Sequence, residues 1–193
     1  MIDIISQKKD LRKNLTLKRD IIKKRSTTEF NIDLFDNLKN YISFEKIKYV
    51  ASFNSIRSEI STHELNNKII DLNKILSFPV IQNNSEELIF KKFKSNETFH
   101  TGKFKIPEPG FENEEVIPQL FFVPCLGFDL NGYRIGYGGG FYDKTFAKLK
   151  KLKIDFYAVG YAFDEQKEDN IPKEEFDYKL DFVLTEKQLY KFL

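Results

Sequence analysis

The sequence predicts an α/β protein: a single three-layer α/β/α domain over residues 1–193, built on a mixed, largely parallel sheet of the Rossmann-like kind. Three observations carry that expectation. Apolar runs of strand length recur at 46–53, 74–81, 120–128 and 155–163. The first two are separated by a stretch of helical period, the strand–crossover–strand pattern of a parallel unit. A dense glycine cluster then lies between the third run and another helical stretch, a place where such sheets put ligands.

Each element follows from its local pattern. Residues 3–24 place Ile4, Ile5, Leu11, Leu15, Ile21 and Ile22 at spacings near three and four, which predicts an amphipathic helix with a lysine-rich outer face. A second helix is expected to start near "STTEF", where Ser26 or Thr27 precedes Glu29 as in a capping box; Phe30, Leu34, Phe35 and Leu38 keep helical period. "KIKYVASF" (46–53) reads as a buried strand, "NSIRSEIST" as a loop, and Leu65, Ile69, Ile70 and Leu72 as the crossover helix. "KILSFPVI" (74–81) is the second strand, "QNNSE" a turn, and "ELIFKKF" an antiparallel or edge strand.

The stretch 94–119 is rich in Glu, Pro and Asn and is expected to run as an extended surface loop, with "GKFKIPEP" as a fixed segment. "LFFVPCLGF" (120–128) reads as one buried strand. "DLNGYR" reads as a simple turn with Asn131-Gly132 at its tip. "FYDKTFAKLKKL" has helical spacing, "DFYAVGYAF" is a strand and "DFVLT" a short final one.

Composition narrows the function. The chain has 193 residues, 41% of them hydrophobic, and 31% charged residues that leave a net charge of only +2. That balance argues against a dedicated nucleic-acid binder and leaves room for a local basic pocket. Cys125, the only cysteine, excludes an intramolecular disulfide and reads as a small buried hydrophobe. The N-terminus does not read as a signal peptide and no apolar run could span a bilayer, so a cytoplasmic protein without membrane partners is expected. His63 and His100 read as exposed polar positions, which gives a hydrolytic triad little support.

The chemistry concentrates in "GYRIGYGGGFYDK" (132–144). Five of the nine glycines (Gly132, Gly136, Gly138, Gly139, Gly140) fall within nine positions. One reading is a turn with unusual dihedrals; the other is a phosphate cradle of bare backbone N–H groups at a helix N-terminus. Neither a Walker A loop nor G-x-G-x-x-G fits the spacing. Arg134 beside the cluster favours the anion site. A non-catalytic nucleotide- or RNA-binding module and, on fold analogy, a sugar-phosphate isomerase or transferase with Glu59 as base are the other readings.

Taken together, "VPCLGFDLNGYRIGYGGGFYDK" resembles the signature of the 5-formyltetrahydrofolate cyclo-ligase (methenyltetrahydrofolate synthetase) family. "KKDLRKNL", "FNSIRSEIST", "FPVI", "GKFKIPEP" and "IPKEEFDYKLDFVLTE" match the same family in the same order. The resemblance implies an ATP-dependent conversion of 5-formyltetrahydrofolate to 5,10-methenyltetrahydrofolate. In that reaction the formyl oxygen takes the γ-phosphoryl group, N10 closes the ring, and ADP and phosphate are released. It implies ATP as co-substrate and Mg²⁺ as cofactor, small-molecule partners only, and a monomer.

Carried over position by position, Lys8 and Arg12 reach the ATP, together with Arg134, Ile135, Gly136, Tyr137, Gly138, Gly139, Gly140, Phe141 and Tyr142. Arg134 and Tyr142 are the catalytic candidates. Asn54, Glu59 and Tyr137 contact the folate, and Asp143 and Asp177 hold the metal. The Lys8–Arg12 spacing puts both on one helix face, so the first helix should fold back toward the glycines; Lys9 is the register rival of Lys8. Tyr137 and Gly139 stand where some relatives carry Arg and Lys, which leaves Lys144 or Lys8 to supply positive charge.

Overall fold

A computed structural model describes residues 3–26, 32–83, 85–94 and 98–193. Helix α1 (Ile4–Arg25) opens on Asp3, whose carboxylate accepts from the Ser6 N–H at 2.7 Å, and closes on Lys23, Lys24 and Arg25, cations suited to a helix C-terminus. Ser26 donates its N–H to the Ile22 carbonyl and so ends α1. The expected second helix is a 3-10 helix, Ile32–Asn40, that buries Phe35 and Leu38. Thr27, Glu29 and Phe30 lie outside the described residues.

Strand β1 (Tyr49–Ala51) is followed by α2 (His63–Asp71) and β2 (Ile75–Ile81), and then by β3 (Leu88–Lys92), β4 (His100–Thr101), β5 (Pro107–Glu108), β6 (Glu115–Val116) and β7 (Leu120–Pro124). Next come β8 (Gly127–Phe128), β9 (Arg134–Ile135), α3 (Phe141–Lys151), β10 (Tyr157–Tyr161), β11 (Phe182–Leu184) and β12 (Leu189–Lys191).

The main sheet runs β12-β11-β10-β7-β1-β2-β3-β6. Its five inner strands from β11 to β2 are mutually parallel, and antiparallel strands flank them on both sides. The α/β class with a mixed, mostly parallel sheet is therefore what the chain adopts.

Period-two alternation divides the core. On β7, Leu120 and Phe122 face the cluster beneath α2 and the 3-10 helix, whereas Phe121 and Val123 face the one beneath α3. A parallel sheet covered on both faces needs apolar residues at every position, as "LFFV" supplies. A third, smaller cluster joins Leu15 of α1 to Leu126, Ile135 and Ile171.

Four expectations are corrected. The run 120–128 is two elements: Pro124 brings no N–H to the ladder, and beyond it the chain leaves the sheet to form the β8–β9 hairpin. The stretch 94–119 is more than a surface loop, since β4 and β5 form a ribbon, β6 pairs with β3, and Glu108, Asn113 and Val116 are buried. "DFVLT" is not the last strand, because β12 pairs antiparallel with it. On α1, Ile4, Ile5 and Ile21 are exposed, and the buried residues are Lys8, Leu15, Arg19 and Ile22.

Candidate active site

From β1 the chain crosses to β2 on one side and reaches β7 on the other, so β1 and β7 flank the point where the direction of strand order reverses. Segments leaving the carboxyl ends of such strands diverge and open a crevice. Here these are residues 52–62 after β1 and 125–140 after β7. With α1 on one side and the β4–β5 ribbon on the other, they enclose a cavity of about 540 Å³. Phe104 of the ribbon meets Phe141 edge-on, with ring centroids 6.3 Å apart.

The glycine segment is built in two parts. The β8–β9 hairpin is pinned by buried Asp129, whose Oδ1 accepts from the N–H groups of Asn131 and Tyr133 at 2.9 and 3.0 Å and whose Oδ2 accepts from Ile171 at 3.0 Å. Gly132, with φ +88°, serves that turn. Beyond the hairpin, Gly138 (φ +99°) and Gly140 (φ +66°) adopt backbone that side-chain-bearing residues avoid. Gly140 caps α3 without a side chain, so no cap side chain takes the first-turn N–H donors of that helix. Such donors suit an anion.

Cations of α1 surround this loop. Arg12 donates through Nε to the Gly136 carbonyl at 3.0 Å, and its guanidinium lies so near Gly138 that a Cβ there would stand 3.2 Å from Cζ. Lys8 is buried and donates to Glu174 at 2.7 Å and to Asp177 at 2.5 Å, whereas Lys9 is exposed. Helix α1 thus folds back on the glycines in the register of Lys8. Lys144 points elsewhere, to Glu86 at 2.7 Å.

Arg134 lines the cavity but is held, donating to Asp143 Oδ1 at 3.0 Å and to the Tyr178 carbonyl at 3.2 Å. Asp143 Oδ1 also accepts from the Tyr178 N–H at 3.0 Å, and this carboxylate therefore ties α3 to β9 and to the segment before β11. Asp177 Oδ2 accepts from Lys8 and from the Glu174 N–H. Asp143 Oδ2 and Asp177 Oδ1 make no hydrogen bond among the described residues, and no group of three or more His, Cys, Asp or Glu converges there. The Tyr142 hydroxyl is buried with no hydrogen-bond partner among the described residues, and burial raises its pKa far above that of a free phenol.

On the segment after β1, Glu59 is only 5% exposed. It accepts from the Ile56 N–H at 2.9 Å and lies 3.7 Å from Arg19. Burial pushes its carboxyl up, while the Ile56 N–H and the cations Arg19 and Arg57 oppose that rise. Tyr137 keeps 41% of its surface and accepts at its hydroxyl from Arg19. Asn54 donates to the Pro107 carbonyl at 2.8 Å, joining the segment after β1 to the ribbon. Ile135 belongs to the small apolar cluster beneath α1.

Arg19 and Glu108 are among the residues at the site that escape sequence reasoning, as are Arg57, Phe104 and Glu174. Arg19 is fully buried, and its signal was spacing: Lys8, Arg12, Leu15, Arg19 and Ile22 repeat at four, three, four and three. Glu108, 6% exposed, lines the cavity and accepts from the Ile81 N–H at 3.2 Å; burial pushes its carboxyl up. Outside the site the expectations for His63, His100 and Cys125 hold: both histidines are exposed, and Cys125 is a buried thiol pushed up to about 12. No helix among the described residues is long and apolar enough to cross a membrane.

Fold and cavity together define an α/β protein with a ligand pocket and an anion-ready glycine loop at the carboxyl edge of its sheet. Residues 4–186 match the 5-formyltetrahydrofolate cyclo-ligase family. The chain is 29% identical over 180 residues to the 5-formyltetrahydrofolate cyclo-ligase of Haemophilus influenzae, covering 91% of each chain. It is 31% identical over 148 residues to that of Escherichia coli, covering 74% of this chain and 80% of the other. A solved structure of Aquifex aeolicus 5,10-methenyltetrahydrofolate synthetase superposes with a TM-score of 0.73 at 29% identity, covering 96% of this chain and 92% of the other. The chain belongs to the 5-formyltetrahydrofolate cyclo-ligase family and is thereby an enzyme rather than a non-catalytic binding module.

Proposed function

We propose that this enzyme converts 5-formyltetrahydrofolate to 5,10-methenyltetrahydrofolate at the expense of ATP. The observation that carries the reading is one cavity lined by two chemically different groups. One is a glycine loop at a helix N-terminus with Arg12 and Lys8 beside it; the other is a buried carboxylate, Glu59, beside the half-exposed ring of Tyr137. The first suits a polyphosphate. The second suits a flat heterocycle bearing N–H donors.

The adjacency of the two sites supports the reaction that the family resemblance implies. An N5-formyl group is amide-like and a poor electrophile. Its oxygen attacks the γ-phosphorus and ADP departs, leaving an iminium phosphate. N10 then adds to the formyl carbon and loses its proton, and phosphate leaves with the electrons of the C–O bond. No covalent enzyme intermediate is needed, so the protein's part is positioning and charge stabilisation.

Lys8, Arg12 and the amides around Gly138–Phe141 neutralise the phosphates. Tyr142, whose hydroxyl has no hydrogen-bond partner among the described residues, supplies a hydroxyl donor for a substrate oxygen. Arg134 acts through Asp143, whose carboxylate it orients. Asp143 and Asp177 each keep one uncommitted carboxylate oxygen, a donor type that fits Mg²⁺. The ion would supply charge neutralisation on the phosphates.

The test is to mix the protein with 5-formyltetrahydrofolate, ATP and Mg²⁺ and to follow methenyltetrahydrofolate by its near-ultraviolet absorbance. One ADP per product is expected, and product formed without ATP consumption sinks the reading. Asp143→Asn keeps an acceptor for Arg134 and Tyr178 but removes the counter-charge of the nearly buried Arg134. It is expected to lose most turnover, with a smaller fall in melting temperature than Asp143→Ala.

A further inference from the structure

Four segments of the chain meet at one side chain, Arg19. Its Nε donates to Ser58 Oγ at 3.2 Å, its Nη1 donates to the Cys125 carbonyl at 3.3 Å and lies 3.7 Å from Glu59, and its Nη2 donates to the Tyr137 hydroxyl. It is 0% exposed, so it is no surface cation available to phosphates. A guanidinium is removed from water at high cost unless its donors are engaged, and this one is engaged by the β1–α2 loop, by the residue after β7 and by the glycine loop at once.

Tyr137 needs such an anchor. It stands between Gly136 and Gly138, and Gly138 holds φ +99°, so the local backbone does little to fix the ring. Arg19 meets that ring from α1, with Cζ 5.4 Å from the centroid, and Arg57 flanks it at 5.5 Å. Glu59 has the complementary difficulty. A buried carboxylate takes up a proton unless hydrogen-bond donors and cations favour its ionised form, as the Ile56 N–H and Arg19 do here, and ionisation leaves both oxygens free to accept.

We propose that Arg19 is a positioning residue for folate recognition: it holds Glu59 ionised and Tyr137 in place as one surface for the heterocycle's N–H donors and ring face. This rests on the folate reading above and extends it to a residue that never touches substrate. The groups facing Glu59 are Arg19 from α1, Arg57 from its own loop, Tyr137 from the glycine loop, Tyr142 from α3 and Cys125 after β7. Arg19 and Arg57 are the cations among them, and Arg19 is the buried one.

The experiment has two arms. In ligand-free protein, the Glu59 carboxyl is titrated by carbon NMR in the wild type and in Arg19→Met. Loss of the cation is expected to raise the midpoint by about one to three pH units. In steady-state kinetics, Arg19→Met is expected to raise KM for 5-formyltetrahydrofolate about 10-fold or more while KM for ATP stays within about twofold, with Arg19→Lys in between. An unmoved Glu59 midpoint, or equal rises in both KM values, overturns the proposal. If Arg19→Met does not fold, Tyr137→Phe removes one of the anchored groups: a selective rise in the folate KM supports the proposal and an unchanged one overturns it. A wild-type protein that makes no methenyl product refutes the folate reading instead, and the carboxyl titration still decides whether Arg19 governs Glu59.

Discussion

Helices α1 and α3 border the same cavity and are held in opposite ways. The inner face of α3 is Thr145, Phe146 and Leu149. Phe146 alone stacks among Phe121, Phe156 and Tyr178, with centroids 5.2, 5.1 and 4.8 Å away. The inner face of α1 alternates charge with hydrocarbon: Leu15 and Ile22 join apolar clusters, while Lys8 pairs with Glu174 and Asp177 and Arg19 lies against Glu59. Lys18 and exposed Arg25 add ion pairs to Glu168 and Glu165 at the rim. The difference separates two tasks. Dispersion and apolar burial depend little on any ligand, so α3 presents its N-terminal amides from a fixed frame. Lys8, paired to part-exposed carboxylates at the cavity, can exchange partners when a polyphosphate arrives, whereas buried Arg19 stays fixed, so the first turns of α1 supply the responsive side of the site.

The largest expected effect breaks the frame. Phe146→Ala removes the centre of the aromatic cluster and should destabilise the protein by about 3–5 kcal/mol, measured by denaturant unfolding. Both KM values should stay near wild type in the fraction that remains folded. A large KM change with little loss of stability would mean that α3, too, is held by site chemistry. Lys8→Met is the mirror case. It should cost about 1 kcal/mol or less in stability, because Glu174 is half-exposed and Asp177 is partly exposed, so both stay hydrated. KM for ATP should nevertheless rise about 10-fold, the loss of one charge-assisted contact. A fall in melting temperature with an unchanged ATP KM would reverse the roles assigned to the two helices.

The same contrast explains what was legible in the sequence. Helix α3 and the inner strands bury apolar side chains at regular period, so "LFFV", "ILSFPVI" and "YAVGY" announce themselves, as does "FYDKTFAKLKK". Helix α1 misleads a reading by hydropathy: Ile4, Ile5 and Ile21 look like its core and are exposed, while Lys8 and Arg19 look like solvated residues and are buried. Burial there is decided by partners on segments more than 30 residues away, such as Ser58, Cys125 and Tyr137, which no local period encodes. Two-residue strands such as β4, β5 and β6 are too short to show alternation, which is why the ribbon bearing Glu108 read as a loop. The turn at Gly132 was legible, as was the change of character in the glycines beyond it; what holds the hairpin was not, because that rests on Asp129 reaching Ile171.

The smallest effect tests the cradle itself, where responsive helix and fixed helix meet. A Cβ built at Gly136 has nothing within 4 Å and needs no positive φ, so Gly136→Ala should change stability by less than about 0.5 kcal/mol and leave ATP binding intact. Gly138→Ala differs on both counts. Its φ of +99° disfavours any side chain, at a cost of about 1–2 kcal/mol, and the new methyl would press on the Arg12 guanidinium at 3.2 Å. Arg12 can yield only by loosening its 3.0 Å bond to the Gly136 carbonyl, so the substitution should raise KM for ATP more than KM for the folate. Equal behaviour of the two alanine variants would mean that the loop tolerates displacement of Arg12, and that α1 and the glycines do not act as one phosphate site.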